Sequence, residues 1–370
     1  MTNSAIIPVF RPPLSRSLQA SLASCIESRW WGYGPRCAAL ERHFIAARGG
    51  WAVATSSCTA ALHVAGQLIR RSNRDEVIVP AITFVSTAMA FYTAGMRPIA
   101  VDVNPTTLLL NEELVVKHLT PRTRAVVVVH LYGQRQDVRC LRSLCDRHGI
   151  VLIEDCAHRI GDLAEIPTGD IACYSFNAVK EAPAGEGGLL WGREARLESA
   201  AREATYLGMK VDTFQRSSTS VHQDYGFGHS GGAKLRLTDV AATFVLDCLE
   251  QIDVWRAQRR AIFEFYENAL PLANANVALI PRRATDSYLM FVVRVGRADR
   301  SRVRRVLSEA GIATSTHYPS LSRHPLWRSM AGPCPVAERV SDELLTLPCF
   351  PDMDRTTCDR VISAWEAAWK

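Results

Sequence analysis

The sequence predicts an α/β fold: a large domain on a mostly parallel sheet flanked by helices, followed by a smaller α+β domain. Two observations carry this prediction. Short runs rich in valine and isoleucine alternate with amphipathic helical segments, and this rhythm changes after about residue 245. The runs are almost wholly apolar, as expected of parallel strands that helices cover on both faces. We therefore assign residues 1–245 to the large domain and residues 246–370 to the small one.

Each element follows from its own local pattern. The predicted strands of the large domain span residues 76–80, 98–103, 125–130, 150–154, 171–176 and 188–191. The predicted helices between them span residues 59–69, 86–94, 112–119 and 138–148. In the small domain we expect a strand at 286–295 and helices at 246–270, 300–310, 335–345 and 356–369. Residues 210–234, rich in Ser, Gly and Thr, are either a disordered stretch or a functional loop.

Composition excludes several classes of protein. The 370 residues include 43 basic and 37 acidic ones, and the arginines are scattered, as on solvated helix faces. We therefore expect no nucleic-acid partner, although a net charge of +6 suits phosphorylated small substrates. No stretch is long or apolar enough to span a bilayer and no signal peptide is evident, so a cytoplasmic location is expected. The 11 cysteines lack any Cys-x-x-Cys pair, which predicts reduced thiols and no metal site.

Two polar residues at strand ends are candidate catalytic groups. Asp155 comes directly at the end of the predicted strand 150–154, as the next residue, and ligands of open α/β sheets bind beyond the carboxyl ends of strands. A buried carboxylate needs a cationic or hydrogen-bonding partner, such as a protonated pyridine nitrogen; the alternative is an N-cap of a helix starting at Cys156. Lys180 lies in a glycine-flanked turn after strand 171–176, where desolvation would make its amine nucleophilic. A solvated loop lysine is the alternative.

Three further features could hold a phosphorylated aromatic ring. Ser175 lies five residues before Lys180, where its hydroxyl could bind a phosphate oxygen. The run Thr55-Ser56-Ser57-Cys58-Thr59 opens a helix, whose N-terminus favours phosphate; simple N-capping is the alternative. Phe84 follows strand 76–80, where it could stack on a heteroaromatic ring or belong to the core. This order of features is that of a fold-type I pyridoxal-phosphate (PLP) enzyme.

The sequence resembles, nearly end to end, the sugar aminotransferases of the DegT/DnrJ/StrS type. The motifs that carry the resemblance include Gly32-Tyr33-Gly34-Pro35, Ser57-Cys58-Thr59-Ala60-Ala61-Leu62, Glu154-Asp155-Cys156-Ala157-His158, Ser175-Phe176-Asn177-Ala178-Val179-Lys180, Gly185-Glu186-Gly187-Gly188, Arg236-Leu237-Thr238-Asp239 and His317-Tyr318-Pro319. By resemblance, Lys180 is the Schiff-base lysine and proton shuttle, and Asp155 pairs with the pyridine nitrogen. The resemblance also assigns cofactor contacts to Ser57, Cys58, Thr59, Phe84, His158 and Ser175.

The resemblance implies a homodimer with shared active sites. In the family, the segment before the Thr-Asp pair reaches the phosphate in the other subunit, and Lys234 takes this place here; a solvated loop lysine is the alternative. The expected substrate contacts are Tyr33, Gly34, Glu186, His317 and Tyr318. The chain departs from the family pattern in two places, because Ala233 stands where a Tyr is common and Glu181 follows Lys180 where an Asn is usual.

The implied reaction moves an amino group from an amino acid, glutamate or glutamine, to a keto sugar. A nucleotide-linked 4-keto or 3-keto hexose is the first expectation. A keto cyclitol or an aminoglycoside intermediate is the alternative, because such enzymes serve antibiotic biosynthesis as well as surface sugars. Two other readings are a PLP-dependent sugar dehydratase, in which a His typically replaces the lysine, and a non-catalytic regulatory relative. The intact Lys180, Asp155 and Ser175 argue against both.

Overall fold

The computed structural model describes residues 6–162, 165–217, 226–228, 231–270, 276–328 and 332–370. Its central sheet has seven strands: β1 (Trp51–Thr55), β2 (Glu76–Pro80), β3 (Arg97–Val101), β4 (Thr123–Val129), β5 (Val151–Cys156), β6 (Ile171–Ser175) and β7 (Gly188–Gly192). They lie in the order β1-β7-β6-β5-β4-β2-β3. Neighbouring strands from β3 to β6 are parallel, and β7 runs antiparallel to both β6 and β1. The predicted mostly parallel sheet is confirmed.

Helices cover both faces of this sheet. Their bounds are α1 (Leu18–Glu27), α2 (Pro35–Arg48), α3 (Cys58–Ile69), α4 (Ser86–Thr93), α5 (Glu112–Val116), α6 (Arg139–His148), α7 (Glu198–Ala204), α8 (Thr213–Ser217), α9 (Asp239–Ala269), α10 (Arg297–Glu309), α11 (Pro335–Ser341) and α12 (Arg355–Ala367). Alternate residues of a strand face opposite sides, so Val77 and Val79 pack in the core under α3 and α4. Ile78 packs on the other face, with Leu141 and Leu144 of α6. Because helices cover both faces of these strands, nearly all of their residues are apolar.

A second, smaller core lies around three antiparallel strands, β8 (Val277–Leu279), β9 (Phe291–Val295) and β10 (Leu344–Leu347). Helix α9 contributes to both cores: Val245 packs near the large sheet, whereas Phe263 and Tyr266 pack against the small one. The predicted boundary between residues 245 and 246 therefore falls within this 31-residue helix. The division into two domains stays a prediction.

Three local predictions were wrong or only partly right. The helix predicted over 335–345 ends at Ser341, and the following apolar residues form β10 instead. The strand predicted over 286–295 begins only at Phe291. No helix starts at Cys156, because β5 continues through that residue into a turn; an N-cap role for Asp155 is therefore wrong. Of the segment 210–234, α8 is helical, and residues 218–225 and 229–230 lie outside the described part of the chain.

Two remaining expectations concern cysteines and membranes. All eleven cysteines are free thiols, and ten of them are buried. Within the described residues, no helix has the length and hydropathy needed to cross a bilayer.

Candidate active site

The main cavity of the molecule has a volume of about 480 Å³ and lies at the carboxyl ends of the parallel strands. It is where most of the predicted site residues meet. The residues predicted from sequence that line it are Ser57, Cys58, Thr59, Phe84, Asp155, His158, Ser175, Lys180, Glu186, His317 and Tyr318. They come from separate parts of the chain, so the fold brings them together as expected of a site at strand ends.

One end of the cavity is built to receive an anion. Ser57 is the N-cap of α3, and its hydroxyl oxygen accepts a hydrogen bond from Ala60 N at 3.1 Å. The first N–H groups of a helix have no acceptor within the helix, and the helix dipole adds partial positive charge there. Gly188 permits the close contact behind this turn, because a Cβ would lie 2.4 Å from Cys58 N. Ser175, paired with Gly188 across β6 and β7, adds a hydroxyl to the same cavity.

Asp155 is a buried carboxylate without a cation in hydrogen-bond contact among the described residues. Its Oδ2 accepts from the Thr87 hydroxyl at 2.8 Å, and its Oδ1 accepts from Ala157 N at 3.0 Å. Burial raises the pKa of Asp155, although the Thr87 and Ala157 hydrogen bonds and the Lys180 charge oppose the rise. A cationic group in the cavity would offset the cost of burying this carboxylate.

Lys180 lies in a turn between β6 and β7, held by a hydrogen bond from its backbone N to Asn177 O at 3.0 Å. Burial lowers the pKa of its ammonium to about 8, against weaker opposing effects of Cys58 and Asp155. A substantial fraction of the amine is thus neutral near physiological pH, which nucleophilic attack on a carbonyl requires.

Phe84, His158 and Tyr318 form an aromatic wall of the cavity. The Phe84 ring is 54 % exposed and lies 5.6 Å from the Tyr318 ring, so one face is free for stacking. His158 Nδ1 accepts from Tyr132 N at 3.1 Å, which leaves the proton of the neutral ring on Nε2, 2.9 Å from the Tyr318 hydroxyl. Burial and the Lys180 charge lower the pKa of His158 well below 6.5, so the ring is neutral.

The mouth of the cavity carries Glu186 and His317. Glu186 is exposed, and its Oε1 accepts from Asn177 Nδ2 at 2.8 Å. His317 Nδ1 lies 2.7 Å from the Thr346 hydroxyl, and burial lowers its pKa to about 4. Neither imidazole of the cavity therefore carries charge near neutral pH. The polar groups at the mouth suit contacts with sugar hydroxyls, and the substrate roles of Glu186, His317 and Tyr318 stay predictions.

The chemistry of these groups fits PLP. The hydroxyls and N–H groups at the start of α3 fit its phosphate, and the free face of Phe84 fits its ring. The buried Asp155 carboxylate fits a protonated pyridine nitrogen, whose charge would offset the cost of burial. The Lys180 amine fits the aldehyde carbon. The lysine and the acid line one cavity, as a single ligand of this kind requires.

Tyr33 and Lys234 lie elsewhere, in a second cavity of about 430 Å³. The Tyr33 hydroxyl donates to Glu41 Oε1 at 2.7 Å, and the Arg236 guanidinium covers the Tyr33 ring at 4.5 Å. Lys234 is exposed, and its ammonium has no hydrogen-bond acceptor among the described residues. Gly34 has a packing role, since a Cβ there would lie 2.3 Å from the Trp30 ring. Within one chain, these residues do not reach the main cavity.

Sequence reasoning missed Thr83 and Thr87, which form a hydrogen-bonded chain to the Asp155 carboxylate. Their hydroxyls lie 2.8 Å apart, and Thr87 bonds to Asp155. The available signal was two hydroxyl residues four positions apart, one in the turn before the apolar helix α4 and one in its first turn. Asn177 and Met290, which also line the cavity, carried no such signal.

The opposite face of β5 carries Glu154 and Cys156, and His130, just after β4, lies beside them, with the three ligand atoms within 4.8 Å of one another. Gln136 N donates to His130 Nδ1 at 3.2 Å, so the ring proton is on Nε2 and donates to Glu154 at 2.8 Å. A metal ion on Nε2 would force that proton onto Nδ1, against the Gln136 N–H. These hydrogen bonds favour an internal polar pair over a metal centre.

Comparison with known proteins agrees with this geometry. The model of the DegT/DnrJ/EryC1/StrS aminotransferase family matches residues 14–366. The aminotransferase TlmJ from Streptoalloteichus hindustanus is 30% identical, with 99% of each chain covered and a TM-score of 0.88. DesV from S. venezuelae is 29% identical over 96% of this chain and 95% of its own, with a TM-score of 0.85. The sugar aminotransferase CalS13 from Micromonospora echinospora is 25% identical over 98% of this chain and 100% of its own, with a TM-score of 0.86.

Proposed function

The chain belongs to the DegT/DnrJ/EryC1/StrS aminotransferase family, and on this premise we propose that it transfers an amino group from an amino acid to a keto sugar. It is an aminotransferase with the fold-type I architecture, and PLP is its cofactor. Glutamate or glutamine is the proposed donor, and a nucleotide-linked keto hexose is the proposed acceptor. The observation that carries the proposal is the pairing, in one cavity, of the buried acid Asp155 with the amine of Lys180.

Lys180 is the proposed attachment point of the cofactor and the mover of the reacting proton. When bound, PLP draws electrons away from the donor Cα and so weakens its C–H bond. The neutral Lys180 amine, once free, takes the Cα proton and returns it at C4′ of the cofactor. Its pKa of about 8 suits both directions of transfer, because the acid and base forms are then both populated near neutral pH.

Asp155 is proposed to keep the ring nitrogen protonated. Thr87 and Ala157 N orient the carboxylate, and neither can neutralise its charge. A pyridinium N–H would supply the missing positive charge, and the buried setting would strengthen the pair. Ser57, Cys58, Thr59 and Ser175 would hold the phosphate, so that ring and aldehyde are fixed at opposite ends of the site.

A second copy of the chain is proposed to complete this site. The cavity that holds Tyr33 and Lys234 is also lined by aromatic residues, among them Trp31, which is 56 % exposed. Exposed large apolar side chains in one region favour a protein interface. We expect the Lys234 ammonium to approach the phosphate site of the partner subunit across this interface.

The reaction is tested with the purified protein and PLP, by following the visible absorbance of the lysine-bound cofactor. Glutamate should discharge this absorbance, and a keto sugar should restore it; Lys180→Ala should show neither change. A panel of keto hexoses, nucleotide-linked keto hexoses and keto cyclitols then identifies the acceptor class. Failure of every donor to change the spectrum of the wild-type protein would favour the non-catalytic relative.

The shared site is tested with mixed dimers of Lys180→Ala and Lys234→Ala. A hybrid has one site that combines an intact Lys180 with an intact Lys234 from the other chain. It should bind PLP with wild-type affinity in that site, whereas Lys234→Ala alone should bind about tenfold more weakly, as expected for the loss of one charged phosphate contact. If the hybrid binds no better than Lys234→Ala, each chain uses its own Lys234 or none.

A further inference from the structure

Glu181, next to Lys180 in the chain, has no part in the proposed chemistry, yet its carboxylate is almost wholly buried, with 1 % of the residue exposed. Burial of a carboxylate is costly unless charge and hydrogen bonds compensate it. The contacts of the Glu181 carboxylate therefore indicate which parts of the protein it joins.

The carboxylate joins two other parts of the molecule to the Lys180 turn. Its Oε2 accepts a hydrogen bond from Ile160 N, in the loop that follows β5 and carries His158. Its Oε1 accepts from Arg256 Nη2 of α9 at 3.4 Å. The same guanidinium group donates to Gly161 O at 3.0 Å, so Arg256 holds both Glu181 and the adjacent loop.

Buried positive charge surrounds this junction. Arg259, three residues after Arg256 on α9, is buried, and its Nε and Nη2 have no hydrogen-bond acceptor among the described residues. Burial lowers the pKa of Arg259, and Glu181 is the strongest opposing charge. Arg48 Nη2 adds a hydrogen bond to Ile160 O at 2.8 Å from α2. Arg256 therefore contacts the Glu181 carboxylate directly, and Arg48 holds the same loop residue, Ile160, to which Glu181 bonds.

We propose that Glu181 is a positioning residue, which fixes the Lys180 turn and the His158 loop against α9 so that the amine meets the cofactor aldehyde. The two consecutive residues of the turn have separate roles, since Lys180 lines the cavity and Glu181 points into the protein. The inference rests on the proposed role of Lys180. Small displacements of a reacting group cost large factors in rate, so an anchor next to the nucleophile has a direct effect on condensation.

The test measures capture of PLP by the apo dimer, in which the Lys180 amine condenses with the aldehyde and one water is released. Stopped-flow absorbance gives the rate, and titration gives the affinity. Glu181→Gln should slow capture and weaken affinity by about tenfold or more. Glu181→Asp keeps the charge but is one methylene shorter, so it cannot span Ile160 and Arg256 together and should also slow capture. This second variant keeps the test valid if Glu181→Gln does not fold.

Asp253→Asn is the matched control, because Asp253 Oδ1 accepts from Arg256 Nη1 at 2.8 Å on the exposed side of the same guanidinium. It should capture PLP at the wild-type rate. Wild-type capture by Glu181→Asp, or equal slowing in Asp253→Asn, would overturn the inference. So would a lowered Tm with unchanged capture, which is the result of a purely structural role. If Lys180→Ala still gives the lysine-bound absorbance, the proposed function fails instead.

Discussion

Strand β5 presents two neighbouring carboxylates to opposite faces of the sheet, and their surroundings differ. Glu154 faces the side of α6, where His130 donates to it at 2.8 Å and Gly169 N donates to its other oxygen. Burial raises its pKa, but these donors outweigh burial and the net pKa is lowered. Asp155 faces α3 and α4, its donors among the described residues are the Thr87 hydroxyl, Ala157 N and, at 3.9 Å, the Cys58 thiol, and its net pKa is raised.

The two carboxylates of β5 differ in how completely the protein itself satisfies them. Both acids are buried and adjacent in sequence, so neither burial nor position distinguishes them. The difference is that the protein itself completes the hydrogen bonding of Glu154, whereas it leaves Asp155 short of positive charge beside an open cavity. A buried acid whose partners are incomplete is a candidate for ligand binding, and one whose partners are complete is a structural element.

The strongest test of this contrast is Asp155→Asn. The amide is the same size and keeps the acceptor for Ala157 N, and the Thr87 hydroxyl can reorient, since it also faces Thr83. Without the negative charge of Asp155, the ring nitrogen of bound PLP would not stay protonated, and the cofactor would withdraw electrons less strongly. We expect kcat to fall by about 100-fold or more, equivalent to roughly 2.8 kcal/mol.

Single-turnover reaction with glutamate, read by loss of visible absorbance, measures the effect of Asp155→Asn on the chemical step. PLP capture by Lys180 should persist in the same variant, which separates the acid's role from cofactor attachment. A wild-type single-turnover rate would remove Asp155 from the chemistry and make the two acids equivalent.

The prediction from sequence succeeded where the signal was local. Lys180 in its glycine-flanked turn and Asp155 at a strand tip are marked by their neighbours in the chain, and the main cavity contains both. The sequence could not distinguish Asp155 from Glu154, because their partners are distant in the chain. Thr87 lies 68 residues from Asp155, and His130 and Gly169 lie 24 and 15 residues from Glu154. The side of the sheet that each acid faces follows from strand register, but which side carries the cavity depends on packing of helices.

The errors in the fold have a similar cause. Val336, Val340 and Leu344 recur four residues apart, so residues 335–345 read as one helix. The structure places Leu344–Leu347 beside β9, where backbone pairing and burial of Leu345 and Leu347 outweigh the helical pattern. The turn after Cys156 was read as a helix because nothing in the local sequence reveals the tertiary contacts of Arg48 and Glu181 with Ile160.

The substitution Glu154→Gln tests the carboxylate on the other face of β5. The amide can accept only one of the two hydrogen bonds from His130 and Gly169, and its NH2 group then opposes the remaining donor. We expect a loss of about 2 kcal/mol in the free energy of unfolding near neutral pH, measured by urea denaturation of the apo protein. The single-turnover rate should change by less than about tenfold, since no reacting atom lies on this side.

The pH dependence of this loss shows whether Glu154 stabilises the folded protein in its ionised or its protonated form. Its pKa is lowered in the folded protein, so the stability it contributes is present above its unfolded pKa and lost as pH falls through the folded one. The difference between wild type and Glu154→Gln should therefore shrink below about pH 4.5. A difference that grows on acidification would mean that the folded protein favours the protonated acid, as it does for Asp155.

The smallest expected effect is a shift in the pH profile of PLP capture, and it distinguishes the two faces directly. Only the neutral amine reacts, so the capture rate should rise with pH and level off above about pH 8, the pKa of Lys180. His158 and His317 do not titrate in this range, because burial lowers the pKa of both.

The negative charge of Asp155 raises the pKa of Lys180, so Asp155→Asn should move the midpoint to lower pH. Glu154→Gln should leave the midpoint in place, since Glu154 lies on the other face of the sheet and its carboxylate is met by His130. Equal shifts in the two variants would show that the sheet does not separate the two acids electrostatically, and the distinction between a ligand-binding and a structural carboxylate on β5 would then rest on hydrogen-bond geometry alone.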